Sequence, residues 1–208
     1  RLHGEAPAVQ LARIAKQIEV KLGITISIGL SYNKFLSKLG SELEKPRGFS
    51  IIGPSDTTSL LKDKSISQIL GVGKKTKSTL ETNGITLISD ILKFEKSHLK
   101  ELLGSFGETL WFLARGIDKR KIIPNRKAKS ISCEQTFHKN QSRLEILDSF
   151  LWDLTEEISS RLRSQSLLAE KISLKFKDAH FRIAVRSINM NNPSNSAEVI
   201  FQASKILL

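Results

Sequence analysis

The sequence predicts an α+β fold built from two mixed segments, an all-helical segment between them and a basic linker. Residues 1–55 alternate between helix-like and strand-like apolar patterns, residues 56–118 hold helical patterns alone, and residues 130–208 follow a βαββα order. Residues 119–129 carry six cations, no acid and one proline, which predicts a linker extended around Pro124. The chain therefore divides into three structured parts and one connecting segment.

The first part contains two helices and two strands by its apolar spacing. Apolar residues recur every three or four positions from Pro7 until Gly23, and strict alternation of apolar and polar residues follows. Ser31 is the expected cap of the second helix, whose first turn carries Lys34. The predicted elements are helices at 7–22 and 32–44 and strands at 24–30 and 49–52.

The helical part is organised around a helix-hairpin-helix prediction. Two glycines flank a single apolar residue, and glycine permits the positive φ angles of a tight turn. The second helix then starts with lysines, so that backbone N–H groups and cations face the same anion. An ordinary turn between two helices would explain the glycines alone, but the lysines favour a nucleic-acid phosphate. The predicted phosphate-binding residues are Gly71, Val72, Gly73, Lys74 and Lys75.

The last part changes from helical patterns to a mixed order. Its predicted elements are strands at 130–137, 171–177 and 181–188 and helices at 144–162 and 194–208. The cations expected on the open face of the resulting sheet, where they would meet phosphates, are Lys175, Lys177, Arg182 and Arg186. Solvated strands of mixed charge would give the same pattern, so the residues alone leave both interpretations open.

The net charge points to an anionic partner. The 208 residues contain 33 lysines and arginines against 21 acids, a formal charge of +12, and the excess is spread along the whole chain. Nucleic acid is the simplest partner for such a charge, with a merely solubilising basic surface as the alternative. Cys133 is the single cysteine, which excludes a disulfide framework within the chain. No apolar run approaches about 18 residues, so we expect a cytoplasmic protein without a membrane partner.

The sequence offers binding groups but no candidate catalytic residue or metal ligand. Paired carboxylates occur at positions 42 and 44 and at 156 and 157, where helical spacing favours solvated faces. The four histidines are isolated, and no serine or cysteine lies in a nucleophile motif. Lys34 is the strongest single candidate, because a lysine on the first helical turn after a strand can bind a phosphate together with the helix N-terminus. An ordinary surface lysine is the alternative.

Five stretches carry the motifs of one protein family. They read GITISIGLSYNKFLSKLGSELEKPRGF at 23–49, ILGVGKKTKSTLETNGI at 69–85, FGETLWFLARGIDKR at 106–120, KSISCEQTF at 129–137 and VRS at 185–187. In this order they resemble the palm signature, the thumb hairpin, the end of the thumb and two little-finger strands of Y-family translesion DNA polymerases, especially those of the bacterial DNA polymerase IV type. The resemblance covers nearly the whole chain.

The resemblance implies a domain order and roles for individual residues. It makes residues 1–55 part of a palm, 56–118 a thumb, 119–129 a linker and 130–208 a little finger that lacks its last strand. Lys34 matches the lysine that contacts the triphosphate of the incoming nucleotide, and the hairpin residues match those that hold primer phosphates. Carbonyls near Ile69 and Val72 could bind a cation. The further implied DNA-binding residues are Lys129, Ser130, Arg186 and Ser187.

The resemblance also implies an activity for the full-length protein. It is expected to add deoxynucleotides to a primer across damaged template, with Mg²⁺ as cofactor and with primer–template DNA, a deoxynucleoside triphosphate and a sliding clamp as partners. The family's first palm strand, fingers and Mg²⁺-binding carboxylates would precede Arg1, and its closing strand and clamp-binding tail would follow Leu208. We therefore expect this chain to bind DNA and to be inactive alone. The alternative is a non-enzymatic helix-hairpin-helix DNA-binding or scaffold protein.

Overall fold

The computed structural model describes residues 4–125 and 128–208, so Arg126 and Lys127 of the predicted linker lie outside the described residues. The chain divides into two compact units, Arg1–Pro124 and Asn125–Leu208. The first unit contains α1 (Pro7–Leu22), β1 (Ile28–Ser31), α2 (Lys34–Leu43), β2 (Phe49–Ile52), α3 (Pro54–Lys62), a 3₁₀ turn (Ile66–Gln68), α4 (Lys74–Thr82), α5 (Ile88–Ile91), α6 (Lys96–Leu103) and α7 (Ser105–Leu113). The second unit contains α8 (Leu144–Ser164), β3 (Ala169–Lys177), β4 (Ile183–Ser194) and α9 (Ala197–Lys205).

Strands β1 and β2 form a two-stranded parallel sheet that supports helix α2. Pairing starts with Ile28 opposite Phe49 and continues to the end of both strands. Gly29 lies directly beneath α2, where a Cβ would overlap the backbone of Ser37 and Ser41. The residues of α2 that are buried are Phe35, Leu36, Leu39 and Gly40. This close packing fixes α2, and with it the helix start at Lys34.

Two details of this region differ from the sequence prediction. The strand expected at 24–30 begins only at Ile28, because its partner β2 begins at Phe49 and gives the earlier residues no strand to pair with. Ser31 is the last residue of β1 and does not cap α2. Asn33 is the cap, and its Oδ1 accepts the N–H of Leu36 at 2.9 Å.

Helix α1 forms over the predicted residues and ends at Gly23, whose left-handed φ is 68°. None of its own residues is buried. In the predicted apolar stripe, the Ile14 side chain is 45% exposed and that of Leu22 is 67% exposed. The helix is therefore confirmed, and the described residues cover its apolar side only in part, since Leu11 and Ile18 are half-buried.

The remaining helices of the first unit share one apolar core around the predicted hairpin. Backbone bonds join the chain on both sides of it, from the Ile66 N–H to the Thr86 oxygen at 3.1 Å and from the Ile88 N–H to the Lys64 oxygen at 2.8 Å. The first helix of the hairpin is a single 3₁₀ turn, whereas the second is the complete helix α4. Fully buried side chains of this core are Ile66, Ile69, Leu80, Ile85, Ile88, Ile91, Leu99 and Leu110.

In the second unit, α8 and α9 pack together and α9 packs on the antiparallel pair of β3 and β4. The rings of Trp152 and Phe201 meet edge to face between the two helices, with centroids 5.2 Å apart. Half-buried and exposed residues alternate along most of β3, from Ile172 to its end at Lys177. One face of the sheet is thus covered, and the other is open.

The strand predicted at residues 130–137 is not formed in the described part of this unit. The segment has no strand partner, although it packs against α8. The Cys133 Sγ donates to the Leu154 oxygen at 3.2 Å, and Arg161 donates to the Ser132 oxygen at 2.6 Å. The segment is therefore held by hydrogen bonds between side chains and backbone of α8 and the segment, and not by the backbone ladder of a sheet.

Strand β4 is longer and α9 is shorter than the spacing predicts. The strand continues to Ser194, which lies opposite Ala169, so α9 starts only at Ala197. The mixed class of helices and strands is confirmed, and the βαββα order lacks only its first strand. Among the described helices, none combines the length and the apolar character needed to cross a membrane.

Candidate nucleic-acid interface

Gly71 builds the turn that precedes α4. Its φ of 106° is a conformation that glycine alone adopts readily, and a Cβ here would lie 2.8 Å from the Phe106 ring. The Val72 N–H donates to the Ile69 oxygen at 3.0 Å, and the Gly73 N–H donates to the Gly71 oxygen at 3.2 Å. These bonds close the turn directly before the helix start.

Helix α4 starts with an uncapped end that is rich in cations. Gly73 is the N-cap residue, and because it has no side chain the N–H groups of the first turn receive no side-chain acceptor. Lys74 and Lys75 are exposed, and the first turn holds no acid. The helix dipole, the N–H groups and two ammonium groups together favour a phosphate. The structure thus brings the predicted hairpin residues to one positive helix start.

Lys34 opens α2 as predicted, but the helix end beneath it is already capped. The Asn33 Oδ1 accepts the N–H of Leu36 at 2.9 Å. The Asp118 Oδ2 accepts the N–H of Phe35 at 3.0 Å. A phosphate bound here would meet the exposed Lys34 ammonium and not these two N–H groups. Of the predicted phosphate site, which combined the lysine with the helix N-terminus, the lysine side chain is therefore the part that stays available.

Asp118 is a nearly buried carboxylate with several donors around it. Its side chain is 2% exposed, and Arg120 donates to it from Nε and from Nη2, both at 2.8 Å. The Arg120 guanidinium holds the pKa of Asp118 below its usual range, and the carboxylate in turn raises the pKa of Arg120. Asp118 is therefore ionised at neutral pH and held between α2 and an arginine.

The open face of the β3–β4 pair carries lysines and hydroxyls. Residues directly opposite each other share a face, and residues along a strand alternate between faces. Ser173 lies opposite Ser187, and their hydroxyl oxygens are 2.8 Å apart. By this register the polar residues that share the open face are Lys171, Ser173, Lys175, Lys177, Ser187 and Asn189.

Arg186 lies on the other face, so the prediction that it shares the open face is wrong. It lies opposite Leu174, whose side chain is half-buried, and its Nη1 donates to the Leu207 oxygen at 3.0 Å. Arg182 precedes β4, and its Nε donates to Asp178 at 2.6 Å. Of the four predicted cations, the register therefore places Lys175 and Lys177 together on the open face. Arg186 and Ser187 are neighbours in sequence and lie on opposite faces.

The DNA contacts expected at Lys129 and Ser130 and the cation site expected at the hairpin remain predictions. Lys129 and Ser130 are exposed and belong to no helix or strand, which makes them accessible to DNA. Near the hairpin, the Ile69 oxygen already accepts the Val72 N–H, so a cation would share that carbonyl with the turn.

The acids of the described residues form no group of three or more that could hold a metal ion. Glu42 pairs with Lys38 and Lys45, and Glu157 pairs with Arg161, so these carboxylates are bound by cations. Mg²⁺ prefers several oxygen ligands in near-octahedral geometry. Glu42 and Glu157 would have to give up these cation partners to bind it.

Sequence reasoning missed four residues of these surfaces. Asn33 has the residue type and the position of a helix cap, so its role could have been predicted. Lys171 and Ser173 alternate with Lys175 along one strand, which is also a local signal. Asp118 had no local signal, because its partner in α2 lies 83 positions away.

The chain is similar to known proteins in both units. Residues 67–118 match the family described as the DNA polymerase-iota thumb domain, and residues 128–208 match the impB/mucB/samB family C-terminal domain. DNA polymerase IV 1 of Mesorhizobium japonicum is 41% identical over 208 residues, which cover 100% of this chain and 48% of that protein. DNA polymerase IV of Caulobacter vibrioides is 38% identical over the same length, which covers 52% of that protein. The chain spans about half the length of these curated relatives.

A solved structure of a Y-family DNA polymerase chimera has the same fold. The TM-score is 0.77 at 21% identity, and the match covers 97% of this chain and 58% of the other. At that identity the likeness concerns the fold, whereas the sequence matches run along the whole chain. The two domain matches also follow the order in which the hairpin and the β3–β4 sheet occur. By sequence the chain belongs to the DNA polymerase IV family, and its fold is that of a Y-family DNA polymerase.

Proposed function

We propose that this chain is the DNA-binding portion of a low-fidelity translesion DNA polymerase, which adds deoxynucleotides to a primer across damaged template. The observation that carries the proposal is the uncapped start of α4, where exposed Lys74 and Lys75 follow the Gly71 turn. Backbone N–H groups bind phosphate without reading bases, which suits an enzyme that must accept any primer sequence. The relatives named DNA polymerase IV support the same function.

The two units would contribute different contacts to primer–template DNA. In the first unit, the hairpin would hold phosphates of the primer, and the Lys34 ammonium would bind the triphosphate of the incoming nucleotide. In the second unit, the open face with Lys175 and Ser187 would lie against template phosphates, and Lys129 and Ser130 would add contacts before it. The register of β4 makes Arg186 a weaker candidate than the lysines of the open face.

The proposed catalysis depends on residues outside this chain. We propose Mg²⁺ as the metal of the full-length enzyme, with carboxylate ligands in the half that this chain does not span, as the resemblance to the Y-family polymerases implies. The chain alone is then expected to bind DNA without extending a primer. A sliding clamp is the further proposed partner of the full-length protein, and the cytoplasm, which holds the bacterial chromosome, is its proposed location.

Binding of labelled primer–template DNA to the 208-residue chain tests the DNA-binding part. If about four phosphates are neutralised, log K should fall against log salt with a slope of about −3.6. The double substitution Lys74→Ala/Lys75→Ala should reduce that slope by about 1.8. The matched control is Lys16→Ala/Lys21→Ala on α1, which removes the same charge from another helix. A slope that is flat, or that both double substitutions lower equally, contradicts specific phosphate binding at the hairpin.

The substitution Lys34→Ala in the full-length protein separates the polymerase from a non-enzymatic DNA-binding or scaffold protein. A polymerase should lose about a hundredfold in nucleotide incorporation while its affinity for DNA is unchanged, because one donor to the reacting phosphates is removed. A scaffold protein has no use for a triphosphate lysine, and neither measurement would change. Primer extension by the 208-residue chain alone would contradict the proposed need for the other half.

A further inference from the structure

Three contacts join the start of α2 to the segment that follows α7. The Asn33 Nδ2 donates to the Gly116 oxygen at 2.8 Å, and the N–H of Phe35 donates to Asp118 Oδ2 at 3.0 Å. Between them in sequence, the Lys34 Nζ lies 3.4 Å from the Lys121 oxygen. Three consecutive residues around Lys34 are thus held by a segment more than 80 positions away. We call residues 116–121 the clasp.

The clasp is itself fixed from two sides. Gly116 has a φ of 71° and packs so closely on Thr57 of α3 that a Cβ would overlap the threonine methyl group. The Thr57 hydroxyl is 2.9 Å from that of Tyr32, which directly precedes Asn33. Asp118 is locked by the two parallel hydrogen bonds of Arg120, a geometry that holds a carboxylate in one orientation.

The Asn33 side chain makes both of its contacts in one orientation. Its Oδ1 caps α2 at the N–H of Leu36 while its Nδ2 reaches the clasp at Gly116. The Asp118 carboxylate satisfies the neighbouring N–H of Phe35. Because these contacts surround the first turn of α2 on successive residues, the turn cannot rotate without breaking them. That turn fixes the Cα–Cβ bond from which the Lys34 side chain extends, and the Lys121 oxygen lies within reach of its Nζ.

We propose that Asp118 is a positioning residue for Lys34, through which the end of the helical region sets the placement of the lysine that binds the nucleotide triphosphate. The proposal rests on the proposed function of Lys34. Asp118 would not touch the nucleotide, because its side chain is nearly buried and its oxygens are occupied by Phe35 and Arg120. It acts through α2.

A double-mutant cycle in the full-length protein tests the proposal, with nucleotide incorporation and DNA affinity as readouts. Asp118→Ala should lower kcat/KM for the nucleotide about tenfold, since small misplacements of a binding group have effects of this size. In the Lys34→Ala background the same change should have an effect within about twofold, because a positioning residue has nothing left to position. The affinity for primer–template DNA should stay within about twofold throughout.

Two further variants separate positioning from a general loss of stability. Asp90→Ala removes a comparable acid that caps α5 through the N–H groups of Thr86 and Leu87, and it should leave nucleotide kinetics unchanged. Asp118→Asn keeps an oxygen for the Phe35 N–H and should retain more activity than Asp118→Ala, even if the alanine variant folds poorly.

The possible outcomes of the cycle are distinct. Additive effects of Asp118→Ala and Lys34→Ala, or an equal effect of Asp90→Ala, would overturn the positioning role. No effect of Lys34→Ala by itself would instead contradict the proposed function on which the inference rests. An effect of Asp118→Ala that disappears in the Lys34→Ala background establishes the coupling.

Discussion

Replacing Gly71 by alanine should destabilise the hairpin, and the φ angle and the neighbouring Phe106 ring give the size of the expected loss of stability. The φ of 106° is strained for any residue with a Cβ, at a cost of about 1–2 kcal/mol. The new Cβ would also lie 2.8 Å from Cε2 and 3.0 Å from Cζ of Phe106, and moving that half-buried ring costs about 1–2 kcal/mol more. We expect Gly71→Ala to lower the free energy of unfolding of the first unit by about 2–4 kcal/mol.

The other glycine of the same turn provides the control. Gly73 has an ordinary φ of −83°, and a Cβ there would meet nothing within 4 Å. Gly73 is also the N-cap of α4, where alanine is disfavoured relative to glycine, so Gly73→Ala should lower the free energy of unfolding by no more than about 1 kcal/mol. The two substitutions add the same methyl group two positions apart, so the loss of stability in Gly71→Ala beyond that in Gly73→Ala reports the φ of Gly71 and its contact with Phe106.

Urea unfolding followed by tryptophan fluorescence measures this difference. Each unit has one tryptophan, Trp111 in α7 and Trp152 in α8, so a Trp152→Phe background reports on the first unit alone. Trp111 is half-buried and stacks on Arg115, with the guanidinium 3.6 Å from the ring centroid, and this stacking is lost on unfolding. Equal stability of the Gly71→Ala and Gly73→Ala proteins would show that the turn does not depend on the Gly71 conformation.

Three further outcomes follow from other contacts. Gly116→Ala should destabilise the first unit by about 2 kcal/mol in thermal unfolding, and Thr57→Ser, which removes the overlapping methyl group, should restore part of that loss. The Leu87 N–H and the Lys93 ammonium lower the pKa of Asp90, so the stability that the carboxylate contributes is present above an unfolded pKa of about 3.9 and is lost as pH falls. Asp90→Asn should lower the free energy of unfolding by about 1 kcal/mol at pH 7. It should also make that free energy depend less steeply on pH in the acid range. Burial raises the pKa of the Cys133 thiol, with Glu157 adding to the effect, so a disulfide reagent at pH 8 should modify it more slowly than free cysteine, and urea should abolish the difference.

Local sequence patterns were sufficient for most features that have a local cause, and the cap of α2, which is Asn33 and not Ser31, is an exception. The helices α1 and α8 follow from apolar spacing over many turns, and the hairpin follows from two glycines before a lysine-rich helix. The position of Lys34 on the first turn of α2 was predictable for the same reason. These features depend on neighbours within a few positions, which a single sequence displays directly.

Features that depend on distant partners were not predictable in this way. The alternation at 130–137 indicates an extended chain, but strand formation needs a partner edge, and this segment contacts α8 instead. The face taken by Arg186 depends on the register of β4 against β3, where a shift of one residue exchanges the two faces. Asp118 could not be assigned because its contact with Phe35 is created only by the folded chain.

Both proposed phosphate sites are lysines at helix starts, yet their chemistry is opposite. At α4, the missing side-chain cap leaves N–H groups for the anion, so Lys74 and Lys75 add to a site that the backbone already forms. At α2, Asp118 and Asn33 occupy the N–H groups of Phe35 and Leu36, so the side chain of Lys34 would carry the interaction. Loss of one hairpin lysine should therefore weaken DNA binding only in part and reduce the slope of log K against log salt by about 0.9. Loss of Lys34 should remove its phosphate contact entirely. In the proposed function, contacts that weaken one by one would let primer DNA move past α4, whereas a single ammonium at α2 would hold the triphosphate at one position.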